Sequence, residues 1–153
     1  MKKSFSFILI ALFASFPFFS QSSEQISAII ESEKVTCSQA AYLPAVYANL
    51  ISESDSESQA FDALKNEGCF SDNDSADSEV SLSKACGILV KALGIKGGLF
   101  YTIFQNDRYA YKELKARSII PQTADPSEKL SGRDFLDLFN ACLELSESNG
   151  GDQ

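Results

Sequence analysis

Two stretches of this chain nearly repeat each other at a distance of fifty residues: AFDALKNEGCF at 60–70 and AYKELKARSII at 110–120. Each places apolar side chains at helical spacing, as with Phe61 and Leu64 in the first copy. This spacing predicts a short helix with one buried face in each copy. An internal duplication therefore determines the expected fold of the 153-residue chain.

Each copy predicts a helix–loop–helix unit. The first helix is followed by a polar loop, at 71–79 and at 121–129, and then by an apolar residue and a serine, Ser81 or Ser131. Serine is a preferred N-cap because its hydroxyl accepts a hydrogen bond from an unpaired backbone N–H. The preceding apolar residue can act as a hydrophobic staple. A second helix is therefore expected to begin after each of these serines.

A partial third copy lies upstream. Thr36 is predicted to cap another second helix, and Gln39 completes a capping box. The segment ISAII at 26–30 is interpreted as a remnant of that unit's first helix. Pro44 falls inside the second helix and is expected to kink it, at a cost of about 3 kcal/mol if no packing compensates.

The predicted fold class is all-α, with two complete units and a degenerate first unit packed as one helical bundle at 23–145. Residues 1–22 are assigned to a signal peptide and 146–153 to a disordered tail. LFYTIF at 99–104 is expected to form a short strand or a buried connector. A generic helical bundle with chance internal similarity is the alternative.

The N-terminus predicts export. Lys2 and Lys3 are followed by an apolar run at 5–19 and then by small polar residues, which is the layout of a secretory signal peptide. A retained membrane anchor is the alternative, but the run is shorter than the roughly 20 residues of a spanning helix, and Pro17 interrupts it. Cleavage is expected after Ser22. With no later membrane-spanning segment, the chain is assigned to the periplasm or cell envelope.

Composition argues against several classes of function. A net charge of −8 is the opposite of the basic footprint that nucleic-acid binding requires. The chain has no His, so it lacks the usual general base and the commonest metal ligand, and a serine triad is excluded. We therefore predict no enzyme activity, no cofactor and no metal site. A secreted enzyme with an unrecognised site is a further alternative.

Four cysteines are present, at positions 37, 69, 86 and 142. An even count in an exported chain suggests disulfides. The expected pair is Cys69 with Cys86, because one ends a helix and the other lies early in the next. Buried free thiols are the alternative. The absence of both His and a CxxC motif argues against zinc.

The acidic loop at 72–79 suggests calcium but does not fit the EF-hand pattern. That pattern needs Gly at its sixth position and Glu at its twelfth, where this sequence has Asp77 and Ser83. A solvated acidic loop is therefore expected.

The helix–loop–helix unit resembles the S-layer homology (SLH) domain. RYAYKELKARSIIP at 108–121 looks like that family's first helix, and KLSGRDFLDL at 129–138 lies where its second helix begins. The resemblance covers roughly residues 33–145. It implies three units around a pseudo-threefold axis, in a secreted protein that is anchored non-covalently to peptidoglycan or to its attached polymers.

The chain departs from the family's usual Thr-Arg-Ala-Glu motif. The Arg of that motif helps to hold anionic wall polymer, and its positions are occupied here by Cys37, Leu82 and Gly132. The Trp of the family's first helix corresponds to Tyr109 in the last unit and Gln59 in the middle one. These changes are compatible with the fold, but they alter the expected ligand chemistry.

The chain has one concentration of basic and aromatic residues. Aromatic faces stack on sugars, and Arg can bind carboxylate or phosphate with two parallel hydrogen bonds. The candidate ligand residues are Arg108, Tyr109, Lys115, Arg117 and Arg133. We expect a non-catalytic bacterial envelope protein that contacts peptidoglycan or a wall-linked glycan. The alternative is a periplasmic or outer-membrane-associated structural or protein-interaction domain that has lost glycan binding.

Overall fold

The computed structural model describes residues 20–98, 102 and 105–150. These residues form six helices: α1 Ser20–Glu31, α2 Cys37–Tyr47, α3 Glu57–Asn66, α4 Leu82–Ala92, α5 Asp107–Ala116 and α6 Gly132–Gly150. Within the same residues there is no sheet, only two isolated backbone bridges, Thr36 with Glu79 and Ser81 with Lys129. The predicted all-α helical bundle is confirmed.

The two longer copies share their local backbone geometry. Helix α5 begins and ends fifty residues after α3, and α6 begins fifty residues after α4. Each first helix is followed by a residue at positive φ, Gly68 at +74° and Ser118 at +61°. The N–H of Gly68 donates to Lys65 at 2.9 Å, and that of Ser118 donates to Lys115 at 3.1 Å. The repeat in sequence is thus also a repeat in backbone conformation.

The helices pack in pairs that link one unit to the next. Helix α2 packs on α3, α4 packs on α5, and α6 packs on α1, while α2 and α6 both contact α4. Because α1 leads directly into α2, the three pairs close into a ring. Each second helix therefore buries its apolar face against the first helix of the following unit.

Backbone hydrogen bonds join the units where the second helices begin. The N–H of Val35 donates to Leu130 at 2.9 Å, and the N–H of Val80 donates to Val35 at 2.8 Å. The first residue of each second helix repeats this pattern with the loop of the following unit. Cys37 donates to Ser78, Leu82 to Glu128, and Gly132 to Ser32, each at 2.8 Å.

The core consists of the apolar positions that recur between the copies. Ala60 and Leu64 are fully buried, as are their counterparts Ala110 and Leu114. Pro44 is also buried inside α2, which is a single helix from Cys37 to Tyr47. Packing around Pro44 thus offsets the N–H that proline cannot donate.

The tail expected to be disordered from residue 146 is helical as far as Gly150. After its first residue, helix α6 contains no glycine or proline before Gly150. The hydroxyls of Ser146 and Ser148 each donate to the main-chain oxygen three residues earlier, at 2.8 and 2.9 Å. Residues 151–153 lie outside the described part of the chain.

Two other predictions fall mainly outside the described residues. The signal peptide assigned to 1–22 overlaps them only at its end, because α1 begins at Ser20. Of the connector at 99–104, only Thr102 is described. None of the helices over the described residues has both the length and the apolar character that a bilayer span requires.

We expect Gly132→Ala to destabilise the fold, because a methyl group at this position would overlap the main-chain oxygen of Ile29. Overpacking of this kind costs about 1–3 kcal/mol, so the midpoint of thermal unfolding should fall by several degrees. Circular dichroism would measure it. Arg133→Ala, at the exposed neighbouring position, is the control. Equal melting temperatures for the two variants would show that the close approach is not required.

Candidate functional site

Arg117, one of the predicted ligand residues, holds the segment at 96–98 against α5. Its Nε donates to Glu113 Oε1 at 2.8 Å, and its Nη2 donates to the main-chain oxygen of Lys96 at 2.8 Å. Although burial opposes the ionised form, hydrogen bonds from Arg117 and from the N–H of Gly98 hold the pKa of Glu113 below its ordinary value. The Arg117 guanidinium is therefore engaged in intramolecular hydrogen bonds.

Lys115 and Tyr109 also make contacts within the chain. Lys115 Nζ donates to the Tyr111 hydroxyl at 3.0 Å, and that hydroxyl donates to the main-chain oxygen of Ala124 at 2.6 Å. The ammonium of Lys112 lies 5.2 Å from the ring centre of Tyr109. Arg108 and Arg133 are exposed in the first turns of α5 and α6.

The hydroxyls predicted to cap the three second helices accept backbone hydrogen bonds. Thr36 accepts from Gln39 at 3.3 Å, within a full capping box. Ser81 accepts from Lys84 at 3.3 Å. Ser131 accepts from Asp134, the residue of the last unit that corresponds to Lys84, at 3.2 Å. The caps fix where each second helix starts, and so position the third residue of each helix beside the loop.

In the middle unit, that third residue is the centre of an ion triad. Lys84 Nζ lies 2.7 Å from Asp74 Oδ2 and 3.2 Å from Asp107 Oδ2, and 5.7 Å from the ring centre of Phe70. The Lys84 side chain is 19% exposed. Since Asp74 is in the loop and Asp107 begins α5, Lys84 joins its own unit to the next.

The three groups of the triad titrate differently. Burial raises the pKa of Asp107, and the Lys84 ammonium offsets this only in part. Burial also disfavours the charged forms of Asp74 and Lys84, and it is the largest single influence on both. Their mutual hydrogen bond, together with hydrogen bonds from Ser71 to Asp74 and with the Asp107 carboxylate beside Lys84, outweighs burial, so that the pKa of Asp74 is lowered and that of Lys84 raised. Gly87 makes room for the triad, because a Cβ there would overlap the carboxylate of Asp107.

In the last unit, a cavity of about 320 Å³ lies beside the corresponding third residue, Asp134. Its apolar walls are Leu82, Ile119, Ile120, Pro121, Leu130 and Leu138. The charged groups among its described lining residues are the carboxylates of Glu128, Asp134 and Asp137. The cavity therefore combines apolar walls with negative charge.

The cavity corresponds to the triad through the fifty-residue offset. Asp134 stands in place of Lys84, and Ala124 in place of Asp74. Leu82 lines the cavity as the first residue of the preceding second helix. Its counterpart Cys37 lies near the triad, since burial and then the charge of Asp74 raise the Cys37 pKa, while Lys84 lowers it. We did not predict this site, although the reversal of charge at 84 and 134 is visible in the sequence.

A second cavity of about 320 Å³ is polar. Glu24 and Gln25 of α1 line it, together with Ser54, Ser56 and Gln59. The side-chain nitrogen of Gln25 donates to the main-chain oxygen of Asp55 at 3.1 Å. The Oε1 atom of Gln25 is buried without a hydrogen-bond partner among the described residues.

All four cysteines are buried and free, so the expected Cys69–Cys86 disulfide is not formed. Cys86 lies on α4 near Cys142 of α6, as shown by its pKa, which is raised by burial and then by the Cys142 charge. Cys69 instead lies near Lys91 and Glu67, and burial raises its pKa to about 11. The charge of Asp107 acts on both thiols, but only Cys86 senses the Cys142 thiol.

The acidic loop does not gather its carboxylates around one point. Asp74 accepts from the N–H and hydroxyl of Ser71, at 2.6 and 2.9 Å, as well as from Lys84. Across the described residues, no group of three or more His, Cys, Asp or Glu side chains is arranged to hold a metal ion.

Comparisons with known proteins give no relative for this chain. No protein-family model matches it, and no curated protein or solved structure matches it significantly.

We expect Lys84→Met to destabilise the protein by about 1–2 kcal/mol at pH 7, because two partly buried carboxylates lose their cation. Without Lys84, the pKa of Asp107 rises further and Asp74 loses the contact that lowers its pKa. Lys84 stabilises these two groups only while they are ionised. The difference in the free energy of unfolding between the wild type and the variant should therefore shrink as the pH falls towards about 3.5.

Urea unfolding of the wild type and the variant at both pH values tests this prediction. Lys34→Met is the matched control, because Lys34 pairs with Glu79 at 3.2 Å but the side chains are 56% and 44% exposed. An exposed pair contributes about 0–1 kcal/mol. A deficit in Lys84→Met that does not change with pH would contradict the role given to the triad.

The four thiols should resist labelling in the native protein. Burial raises the pKa of Cys142 to about 12 and that of Cys69 to about 11, and only the thiolate reacts. We expect no reaction with a disulfide reagent at pH 8 within minutes, and four labels after unfolding in guanidinium. Fewer than four labels in the unfolded, unreduced protein would instead reveal a disulfide.

Proposed function

We propose that this chain is an exported, non-catalytic module of the cell envelope that contacts peptidoglycan through an SLH-like arrangement of units. The observation that carries the proposal is the position of the acidic cavity. Leu82, which stands where the SLH resemblance places its polymer-binding Arg, forms part of the cavity wall. In this proposal the ligand binds at the same position as in the SLH family, but the residues that contact it are apolar and acidic instead of basic.

The architecture supports the proposal. Three units whose second helices each pack on the first helix of the next suit the pseudo-threefold packing that the resemblance implies. The grooves between such units are surfaces to which two units contribute, and small-molecule sites favour junctions of this kind.

The three positions of the family's Arg argue against binding of an anionic wall polymer. Cys37 and Leu82 are 3% and 6% exposed, and Gly132 has no side chain. The charge nearest to Leu82 in the cavity comes from carboxylates, which repel phosphate and carboxylate groups. The proposal is therefore contact with peptidoglycan itself, assisted at the surface by Arg108 and Arg133.

A second candidate is a protein-interaction module of the envelope. Three large apolar side chains, Ile30, Tyr47 and Leu50, are 39%, 43% and 39% exposed. Exposed apolar groups of this size favour contact with a protein partner when they are contiguous.

Co-sedimentation with purified peptidoglycan sacculi tests the proposal. We expect saturable pelleting of the protein that weakens several-fold in Arg108→Ala and Arg133→Ala. Lys112→Ala, an exposed cation on α5, is the control and should pellet like the wild type. Absence of pelleting at both low and moderate salt would rule out the wall contact and leave the protein-interaction candidate.

A further inference from the structure

We infer that the cavity lined by Leu82, Asp134 and Asp137 binds a primary ammonium group on an aliphatic stem, as presented by free diamino-acid amines of peptidoglycan stem peptides. The source of the amine rests on the proposed function. The inference that the cavity binds an ammonium group rests on the residues that line it and on the corresponding position in the middle unit.

The middle unit shows what this position accommodates when it is filled. There the Lys84 ammonium lies 2.7 Å from Asp74 and 3.2 Å from Asp107, and 5.7 Å from the ring centre of Phe70. An aliphatic stem on an apolar wall with its ammonium between carboxylates is a favourable arrangement for lysine. The fold therefore already contains one bound example of the proposed ligand group.

The last unit lacks both the cation and the Asp74 carboxylate, which Ala124 replaces, and carries carboxylates at other positions. Asp134 replaces Lys84, and Asp137 replaces Gly87, which in the middle unit is covered by the first residue of α5. Ile120 replaces Phe70 as an apolar wall. The space that is filled in the middle unit thus corresponds to a cavity of about 320 Å³ in the last unit. Carboxylates line the space that an ammonium group would enter.

Size and lining favour an ammonium over a metal ion or an anion. Calcium requires six to eight oxygen ligands, whereas six of the lining residues named above are apolar. Carboxylate or phosphate ligands would be repelled by Glu128, Asp134 and Asp137. An aliphatic amine satisfies both kinds of wall at once.

The test is an NMR titration of the full chain with a stem tripeptide, Ala–γ-Glu–Lys with an acetylated N-terminus, amidated carboxyl groups and a free lysine side-chain amine. We expect saturable shifts of the backbone amides at 119–120, 122–124 and 134–138. The same tripeptide acetylated on the lysine amine should produce none. Equal shifts with the acetylated tripeptide, or shifts confined to other parts of the chain, would overturn the inference.

The variants locate the charge. Asp134→Asn combined with Asp137→Asn should weaken binding roughly tenfold. An amide oxygen at position 134 can still accept the hydrogen bond from the Ser131 hydroxyl, so folding should be preserved. Glu144→Gln with Glu147→Gln removes the same charge from exposed positions of α6 and should leave affinity within about twofold of the wild type. Similar affinity losses in the two double variants would overturn the inference.

A second design tests the counterpart directly. Ala124→Asp with Asp134→Lys places the Asp74–Lys84 pair of the middle unit into the last one. We expect this variant to lose tripeptide binding while its melting temperature stays equal or rises. Undiminished binding by a folded variant would mean that the ammonium does not occupy this position.

The outcomes separate this inference from the proposed function. If the tripeptide fails to bind but sacculi still retain the protein, the inference is wrong and the proposed function stands. If the tripeptide binds but sacculi retain nothing, the proposed function is wrong and amine recognition stands. If an unrelated Gly–Gly–Lys peptide binds as tightly as the stem tripeptide, a stem peptide is not the specific source of the amine.

Discussion

The ring of helix pairs depends on one close backbone contact between the ends of the described chain. The N–H of Gly132 donates to the main-chain oxygen of Ser32 at 2.8 Å, and no side chain fits between Gly132 and Ile29. This contact seats the start of α6 against the end of α1. Without this contact, α1 and α6 would not pack against each other, and the apolar faces of both helices would be exposed to water.

The same structural position serves different purposes in different units. In the middle unit, a cation at 84 fills the space between loop, helix and neighbouring unit. In the last unit, an acid at 134 leaves that space open. A change at one repeated position thus converts a packed junction between two units into an open cavity.

Local features of the structure could be predicted from the sequence, whereas contacts between units could not. The helices and their caps at Thr36, Ser81 and Ser131 follow from apolar spacing and from hydrogen bonds spanning three residues. The cavity depends on which unit packs against which, and the Lys84 triad requires Asp107 from the next unit. The predicted Cys69–Cys86 disulfide is also absent, and the proximity of Cys86 to Cys142 again depends on packing between units.

The pairing of α1 with α6 also constrains the order in which the molecule can assemble. Helix α1 is the first described element to be synthesised, and its partner is the last. The hydrogen bond from Gly132 to Ser32, which closes the ring, joins residues a hundred positions apart. Contacts between residues so distant in the sequence form slowly. A chain synthesised from its N-terminus therefore cannot close the ring until α6 is complete, so the apolar face of α1 stays without its partner until then.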